Sequence, residues 1–285
     1  MARTWRELIG LGASWLESRS VPDAETAAEL LAARLLKVSR GFLAGYLDET
    51  PGERYVEALR RGMARLAKGE PIQYVLGEWD FRSLTLKCDR RALIPRPETE
   101  QLVERVLKSE AARRPEPFVV DVGTGSGCII LSLAKEMKGG VFLGIDISPD
   151  AVALAGENAR MCALDGKVRF AVADGLDDFD EPGMIDILVS NPPYIPSAEC
   201  ALLDPRIRDF EPVTALDGGV KGLDFYERFA GDAINVLKPG GEVFFEIGHD
   251  QGEAVRSLLF DAGFEDIKVE RDWAGHDRYV SAKLP

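Results

Sequence analysis

Short apolar runs alternate with helical patterns through the carboxyl-terminal two thirds of the chain. Two stretches with helical periodicity, CIILSLAKEM (128–137) and PDAVALAGENARMC (149–162), separate runs that are typical of buried strands. These runs are PFVVDVG (117–123), VFLGIDI (141–147), VRFAVAD (168–174), IDILVSN (185–191) and GEVFFEIG (241–248). Strands that alternate with helices form right-handed βαβ units. The pattern therefore predicts an α/β fold with a mostly parallel sheet.

The first seventy residues have a helical pattern instead. The segment 52–70 carries one apolar stripe at steps of four, four and three residues, with charged residues between them. The stripe consists of Tyr55, Leu59, Met63 and Leu66. The segment 21–38 opens with Pro22 and Asp23, a helix start signal, and continues with strong helix formers. No reactive residues cluster here, so we predict a small helical bundle without chemistry of its own.

A change of pattern at Gly77 suggests the boundary between two domains. Residues 77–89 alternate apolar and polar positions, and the phase slips at Arg82–Ser83, which predicts a short β-hairpin. Two prolines in 93–107 then interrupt regular structure before a helix that begins near Glu98. We predict an N-terminal helical domain (1–76), a hairpin linker (77–95) and an α/β catalytic domain (96–285).

Composition indicates a globular protein without a membrane span. Of the 285 residues 46% are hydrophobic, the mean hydropathy is −0.09, and no apolar run approaches the length of a transmembrane helix. Charges interrupt the N-terminal segment where a signal peptide needs an apolar block, so we predict a cytoplasmic location. The four cysteines are widely spaced and the chain has two histidines, so neither a metal site nor a disulfide framework is predicted.

The negative charge is concentrated after the helical segment. Residues 1–70 carry 11 Lys and Arg against 10 Asp and Glu, a net charge of +1. Residues 71–285 carry 24 against 38, which gives −14 and accounts for the total of −13. Proteins that neutralise many phosphates usually present a basic face. Naked nucleic acid is therefore a poor candidate partner for the acidic part.

A glycine-rich turn follows the first predicted strand of the α/β region. The turn consists of Gly123, Thr124, Gly125, Ser126 and Gly127. Glycines allow a tight turn and a close approach of the backbone to a ligand at a helix start, although packing alone can also require them. The next strand ends in Asp146, 19 residues after Gly127, where a carboxylate can accept from ribose hydroxyls.

The spacing separates two cofactor classes that use this geometry. The dinucleotide pattern G-x-G-x-x-G requires glycine at position 128, which is Cys128, whereas G-x-G-x-G after Asp121 favours S-adenosylmethionine. Asp174, after the third strand, is a candidate acceptor for the adenine amino group, and a solvated carboxylate is an equal alternative. No phosphate-binding G-x-x-x-x-G-K-[ST] loop and no G-x-S-x-G nucleophile motif occurs.

The sequence Asn191, Pro192, Pro193, Tyr194 follows the fourth strand, at the sheet edge where ligands of α/β proteins bind. Each proline lacks an N–H and keeps its carbonyl, so the turn presents acceptors without competing donors. The Asn191 side-chain oxygen and the Pro192 carbonyl can accept both hydrogens of a planar NH2 group, and Tyr194 can stack on its plane. The alternative is a rigid turn with an aromatic plug, which the neighbouring glycine turn and Asp146 disfavour.

Further motifs resemble one family, the glutamine N5-methyltransferases of peptide chain release factors (PrmC or HemK). The resemblance covers almost the whole chain, and IPRPETE (94–100), EIGHDQ (246–251) and DRYV (277–280) are its most specific motifs. Other matching segments are PIQYVLG (71–77), DVGTGSGCI (121–129), GIDIS (144–148), SNPPYIP (190–196), EPVTALDGG (211–219) and GLDFYERF (222–229). Asn-Pro-Pro-Tyr itself also occurs in enzymes that methylate DNA adenine or ribosomal RNA guanine, so it does not decide the substrate.

The resemblance implies a five-helix N-terminal domain, a hairpin linker and a Rossmann-like S-adenosylmethionine-dependent methyltransferase domain. It also implies methylation of the glutamine in the Gly-Gly-Gln loop of bacterial-type release factors. The near-neutral charge of the helical segment, next to an acidic catalytic region in the sequence, motivates the separate hypothesis that the N-terminal domain docks the release factor. By position, Gly123 to Gly127, Asp146 and Asn191 would contact the cofactor, and Asn191, Pro192, Pro193 and Tyr194 would hold the glutamine. Many relatives have a bulky aromatic residue where this chain has Gly175, which leaves at most a backbone contact to adenine there.

Several alternatives remain open at this point. The charged residues of RPETE (96–100), Arg206, Arg208 and Glu211 are candidates for the rim of the substrate opening, and solvated loop charges are an equal alternative. A nucleobase amino methyltransferase is disfavoured by the acidic charge, and a non-catalytic S-adenosylmethionine-binding protein by the complete substrate loop. We expect a monomer with a protein substrate and no direct nucleic-acid or membrane partner.

Overall fold

The computed structural model describes residues 3–177, 179 and 182–285. The chain folds into two compact units. One unit extends to Glu78 and includes the segment Asp204–Phe210, and the other comprises Trp79–Leu203 and Glu211–Pro285. The domain boundaries predicted at 76 and 95 stay predictions. No helix in the described ranges has the length and apolar character needed to cross a membrane.

Helices and strands follow one another along the chain largely as the apolar pattern predicts. The α-helices are α1 Trp5–Glu17, α2 Ala24–Leu36, α3 Glu53–Leu66, α4 Ile72–Leu76, α5 Pro97–Lys108, α6 Cys128–Glu136, α7 Pro149–Met161, α8 Ser197–Cys200, α9 Pro205–Arg208, α10 Asp224–Val236 and α11 Gly252–Asp261. The strands are β1 Glu78–Phe81, β2 Leu84–Lys87, β3 Phe118–Val122, β4 Val141–Asp146, β5 Val168–Val172, β6 Ile185–Ser190, β7 Leu237–Glu246, β8 Glu265–Arg271 and β9 Asp277–Lys283. Short 3₁₀ helices span Arg40–Tyr46, Ala111–Arg113 and Val213–Ala215.

The first unit is the predicted helical bundle. Thr4 caps α1, because its hydroxyl accepts from the Glu7 N–H while the Glu7 carboxylate accepts from the Thr4 N–H. Helix α2 does begin after Asp23, but Asp23 has a left-handed φ of 49° and its side chain makes no capping hydrogen bond. Of the predicted stripe on α3, Leu59, Met63 and Leu66 are buried, and Tyr55 is 42% exposed at the bundle edge.

The second unit contains the predicted mostly parallel sheet. Within the described residues, seven strands lie in the order β5-β4-β3-β6-β7-β9-β8. Strands β3 to β7 are parallel, and β9 runs antiparallel to both β7 and β8. Strands β4 and β5 are added on one side of β3, and β6 and β7 are added on its other side. The carboxyl ends of β3 and β6 are therefore neighbours at a topological switch point.

Helices cover both faces of this sheet. Successive residues of β3 belong to different apolar clusters, since Val119 packs with residues of α5, α6 and α7 and Val120 packs with residues of α10 and α11. The sheet is thus the middle of three layers, as expected for a strand pattern that is apolar on both faces. The fold class predicted from the sequence is confirmed.

The predicted β-hairpin is present as β1 and β2, which form a separate two-stranded sheet. Its turn lies at Arg82–Ser83, where the sequence pattern changes phase, and Arg82 has a φ of 52°. The Arg82 N–H donates to Glu100 on α5, and its guanidinium donates to Glu136 on α6 at 2.6 Å. The hairpin is therefore anchored to the helices that border the glycine turn.

One buried carboxylate joins the central strands at the sheet edge opposite the switch point. Asp186 on β6 accepts from the Phe118 N–H at 2.8 Å, from Lys238 Nζ at 2.6 Å and from Arg114. Replacing Asp186 by alanine should lower the free energy of unfolding by roughly 2–3 kcal/mol, because these donors lose a shared buried acceptor. The exposed pair Glu110–Lys283 in the same unit supplies the control. In urea denaturation Glu110→Ala should change stability little, and an equal loss in both variants would contradict the assignment.

Candidate active site

The glycine turn and the Asn-Pro-Pro-Tyr loop lie side by side at the switch point. The turn follows β3 and the loop follows β6, and these strands pair in parallel with Val122 opposite Ser190. The structure therefore brings together the two motifs that the sequence predicts to act together, although 63 residues lie between Gly127 and Asn191 in the sequence.

The glycine turn needs its glycines for backbone conformation and for packing. Gly123, Gly125 and Gly127 have φ values of 72°, 55° and 81°, in the region that L-residues rarely adopt. A Cβ at Gly127 would lie 3.2 Å from the Ala155 Cβ, so helix α7 packs closely at this point. The turn leads directly into α6, whose first N–H groups face the switch point.

Asp121 holds the turn from inside the sheet. The Thr124 hydroxyl donates to Asp121 Oδ2 at 2.6 Å, and both residues are buried. Burial raises the pKa of Asp121 to about 7, and the hydrogen bonds from Thr124 and the Ile130 N–H oppose this rise. Asp121 thus shapes the turn without reaching its outer surface.

Asp146 lies at the end of β4, next to the turn. Its two carboxylate oxygens accept from the Gly125 N–H and the Ser148 N–H, each at 2.9 Å. Burial raises the pKa of Asp146, and these two N–H groups act in the opposite direction. A carboxylate oxygen has two lone pairs, so each can accept a further hydrogen bond from a ligand.

Two of the cavities lined by described residues meet at this edge of the sheet. The larger, of about 470 Å³, extends from Asp146 past Asp174 and Gly175 to Pro192. The smaller, of about 100 Å³, lies between the turn and the segment 91–96, and Asn191 lines it. Asp146 lines both cavities. The combined space is in the size range of small-molecule sites.

Asp174 and Gly175 line the larger cavity, but Asp174 already has a partner. Arg228 on α10 donates to Asp174 Oδ1 at 2.5 Å and also pairs with Asp177 at 2.9 Å. A Cβ at Gly175 would lie 3.0 Å from the Arg228 guanidinium carbon. The arginine therefore occupies the space next to Gly175, and the predicted adenine contacts of Asp174 and Gly175 stay predictions.

The Asn191 amide is connected to two buried residues of other elements. Asn191 Nδ2 donates to Thr99 Oγ1 at 3.2 Å, and the Thr99 hydroxyl donates to Glu246 Oε2 at 2.8 Å. Thr99 and Glu246 are each 2% exposed. Burial raises the pKa of Glu246 to about 7, while hydrogen bonds from Thr99 and Asn191 and the charge of Arg278 lower it.

The backbone of Tyr194 is fixed by Gln251 and by two close glycines. Gln251 Nε2 donates to the Tyr194 carbonyl at 2.9 Å and to the Gly222 carbonyl at 3.0 Å. A Cβ at Gly218 would lie 2.6 Å from the Pro193 carbonyl oxygen, and one at Gly222 would lie 2.2 Å from that of Tyr194. Only glycine permits these two close contacts, which explains Gly218 in EPVTALDGG and Gly222 in GLDFYERF.

Gly222→Ala should therefore displace the loop. The added Cβ would overlap the Tyr194 carbonyl oxygen, and the φ of Gly222 is 71°, which alanine rarely adopts. We expect kcat for the methyl transfer predicted from the sequence to fall about tenfold, because the reacting groups are no longer aligned. Gly231 on α10 is the matched control, since a Cβ there meets no atom of the described residues within 4 Å. Gly231→Ala should leave kcat unchanged and stabilise the helix by about 0.5–1 kcal/mol. Equal kcat values for the two variants would show that the loop tolerates the added methyl.

The residues predicted at the rim have different surroundings. Glu211 is buried and is not a rim residue, because its carboxylate accepts from the Ile94 N–H at 3.1 Å and from Arg96. Arg206 pairs with Asp204 and Arg208 with Asp209, all within the segment that groups with the first unit. Glu211 thus fixes the IPRP segment beside Asn191, and its role is structural.

Sequence reasoning missed the residues behind the loop. Thr99 and Glu246 lie in the motifs IPRPETE and EIGHDQ, which the sequence marks without indicating a role. Buried Asn158 on α7 was also missed: its Nδ2 donates to the Ser126 carbonyl at 2.9 Å, and its Oδ1 accepts from the Lys87 N–H at 2.7 Å. It connects the glycine turn to the hairpin.

A parallel sheet with its last strand reversed, a glycine turn and an Asn-Pro-Pro-Tyr loop at the switch point define a Rossmann-like methyltransferase. Residues 116–257 match the family described as a methyltransferase domain. In fold, the chain is similar to a methyltransferase from Pyrococcus furiosus (TM-score 0.53, 16% identity), with 70% of this chain and 88% of that chain covered.

Full-length relatives define the class more narrowly. Residues 7–77 match the PrmC N-terminal domain family. The chain is 36% identical to the release factor glutamine methyltransferase of Geobacter sulfurreducens, over 99% of this chain and 97% of that protein. It is 35% identical to that of Enterococcus faecalis, over 99% and 100%. The chain belongs to the release factor glutamine methyltransferase family.

Proposed function

We propose that this protein transfers a methyl group from S-adenosylmethionine to the side-chain nitrogen of the glutamine in the Gly-Gly-Gln motif of release factors. The observation that carries the proposal is the Asn-Pro-Pro-Tyr loop beside the glycine turn, in a chain of this family. The loop offers acceptors for a planar NH2 group, and the turn and Asp146 offer the contacts that the methyl donor needs.

The residues present fit S-adenosylmethionine. The glycines of the turn Gly123–Gly127 allow a ligand to approach the backbone closely, and the Asp146 carboxylate keeps acceptor capacity for two ribose hydroxyls. Asp174 and Gly175 line the adjoining part of the larger cavity, where adenine would lie. When bound, the cofactor supplies a methyl group on a positively charged sulfur.

The loop would hold the glutamine amide through both of its hydrogens. Asn191 Oδ1 and the Pro192 carbonyl accept one N–H each, and the Tyr194 ring limits movement out of the amide plane. An amide nitrogen is a weak nucleophile because its lone pair is delocalised, so positioning and stabilisation of the positive charge that develops on nitrogen supply the rate. The proton leaves the nitrogen after methyl transfer, so no histidine or lysine base is required.

A labelled-methyl assay tests the substrate class. The enzyme is incubated with methyl-labelled S-adenosylmethionine and, in separate reactions, a release factor, ribosomal RNA and duplex DNA. We expect label in the release factor, and none when its Gly-Gly-Gln glutamine is replaced by glutamate. Label in RNA or DNA would support a nucleobase methyltransferase, and binding of the cofactor without transfer to any substrate would support a non-catalytic protein.

We further propose that the N-terminal helical domain docks the body of the release factor. Its near-neutral charge and its separate apolar core support this role beside an acidic catalytic unit. Lys37 and Lys68 are exposed and provide reactive amines for cross-linking. When the protein is mixed with a release factor and a cross-linker, we expect cross-links between these lysines and the release factor. Cross-links to the release factor that come only from the second unit would contradict docking. The cytoplasmic location and the monomeric state stay predictions.

A further inference from the structure

The Asn191 amide is held from behind by residues that the proposed reaction does not otherwise use. Thr99 belongs to α5 and Glu246 ends β7, and they are 92 positions before and 55 positions after Asn191 in sequence. The three side chains nevertheless form a continuous hydrogen-bonded chain.

This hydrogen-bonded chain has a fixed direction. Thr99 has one hydroxyl proton, and it donates that proton to Glu246 Oε2 at 2.8 Å. Towards Asn191 the Thr99 oxygen is therefore an acceptor, so the NH2 group of the amide must face it. The NH2 group of Asn191 thus faces the buried Thr99 hydroxyl.

The other end of the amide is left free for a ligand. Asn191 Oδ1 accepts no hydrogen bond from any residue in the part of the chain that the structure describes. If the amide were rotated by half a turn, its oxygen would face the Thr99 oxygen, whose one proton is donated to Glu246, and its NH2 group would face the substrate. Two NH2 groups cannot hydrogen-bond to each other through their hydrogens, so a rotated Asn191 could not hold the glutamine.

We propose, building on the proposed function, that Thr99 and Glu246 are positioning residues that fix the orientation of the Asn191 amide and present its oxygen to the substrate nitrogen. Their setting supports this role. Both are buried, where a misplaced donor or acceptor is costly. The Tyr226 hydroxyl donates to the Glu246 carbonyl at 2.7 Å, which fixes the end of β7.

Three variants of the full-length protein test the proposal. Thr99→Val removes the hydroxyl at nearly constant shape, Thr99→Ser restores it, and Glu246→Gln replaces one of the two carboxylate oxygens that can accept from Thr99 with an NH2 group. The readouts are kcat and KM for release-factor methylation, the dissociation constant of S-adenosylhomocysteine, and the melting temperature. We expect Thr99→Val and Glu246→Gln to lower kcat about tenfold, with KM and cofactor affinity changed less than about threefold. Thr99→Ser should recover most of the lost kcat.

The outcomes separate this inference from the proposed function. If the wild-type protein does not methylate the Gly-Gly-Gln glutamine, the proposed function is wrong. If it does, and Thr99→Val or Glu246→Gln retains the wild-type kcat, the positioning role is wrong. The positioning role is also wrong if Thr99→Ser is as impaired as Thr99→Val, because a purely steric defect would then explain both.

Discussion

Asn191→Ala should lower kcat for release-factor methylation by about 100- to 1,000-fold, because it removes an acceptor that stabilises the positive charge developing on the substrate nitrogen. The Pro192 carbonyl would remain as the second acceptor, so activity should be low and not absent. Asn191 is also a predicted cofactor contact, so the dissociation constant of S-adenosylhomocysteine should rise, but by much less than kcat falls, because Asp146 and the glycine turn are unchanged. The melting temperature should change little, because the loop backbone is fixed independently by Gln251, Gly218 and Gly222.

Asn235 provides the control for this variant. It is exposed on α10 and takes part in the fold through its backbone carbonyl, which accepts from the Gly183 N–H. Asn235→Ala should keep the wild-type kcat and KM. If Asn191→Ala turned over nearly as fast as the wild type, Asn191 would not be the acceptor that the proposed mechanism requires.

Asp146→Ala should weaken S-adenosylhomocysteine binding by about 100-fold. A carboxylate that accepts two hydroxyl hydrogen bonds contributes roughly 3 kcal/mol, and about 1.4 kcal/mol corresponds to a factor of ten. The variant also loses the acceptor for the Gly125 N–H, which loosens the glycine turn. The effect should appear in the dissociation constant and in KM for S-adenosylmethionine, and less in kcat at saturation.

Asp150 offers a matched carboxylate close by. It is exposed in the first turn of α7, four positions after Asp146. In isothermal titration with S-adenosylhomocysteine, Asp150→Ala should bind as the wild type does. If Asp146→Ala also kept its affinity within about twofold, the ribose assignment would be wrong.

The features that the sequence predicts correctly are local ones. The glycine turn and the order of strands and helices are encoded in neighbouring residues, since a run such as FVVDV followed by G-x-G-x-G specifies a buried strand and a turn at once. Parallel pairing then places Val122 beside Ser190, so the meeting of turn and loop follows from topology.

The residues that sequence reasoning missed depend on distant contacts. Thr99 reaches Glu246 across 147 positions, and Glu211 reaches Arg96 across 115. A glutamate in a loop has the same sequence appearance whether it is solvated or buried against an arginine, which is why the sequence allows a rim position or a solvated charge for Glu211 and does not indicate its burial. Strands β8 and β9 also lack a strong alternating pattern. Strand β9 pairs with β7 and strand β8 pairs with β9, and the alternation along each strand does not indicate these partners.

The proposed chemistry is tested most directly by locating the transferred methyl group. A release factor is incubated with the protein and S-adenosylmethionine, digested, and the Gly-Gly-Gln peptide is sequenced by fragmentation mass spectrometry. We predict one added methyl group on the glutamine side-chain nitrogen, in a reaction that is severely slowed by Asn191→Ala and unaffected by Asn235→Ala. A methyl group on any other residue, or an unmodified glutamine after complete turnover of the cofactor, would contradict the account.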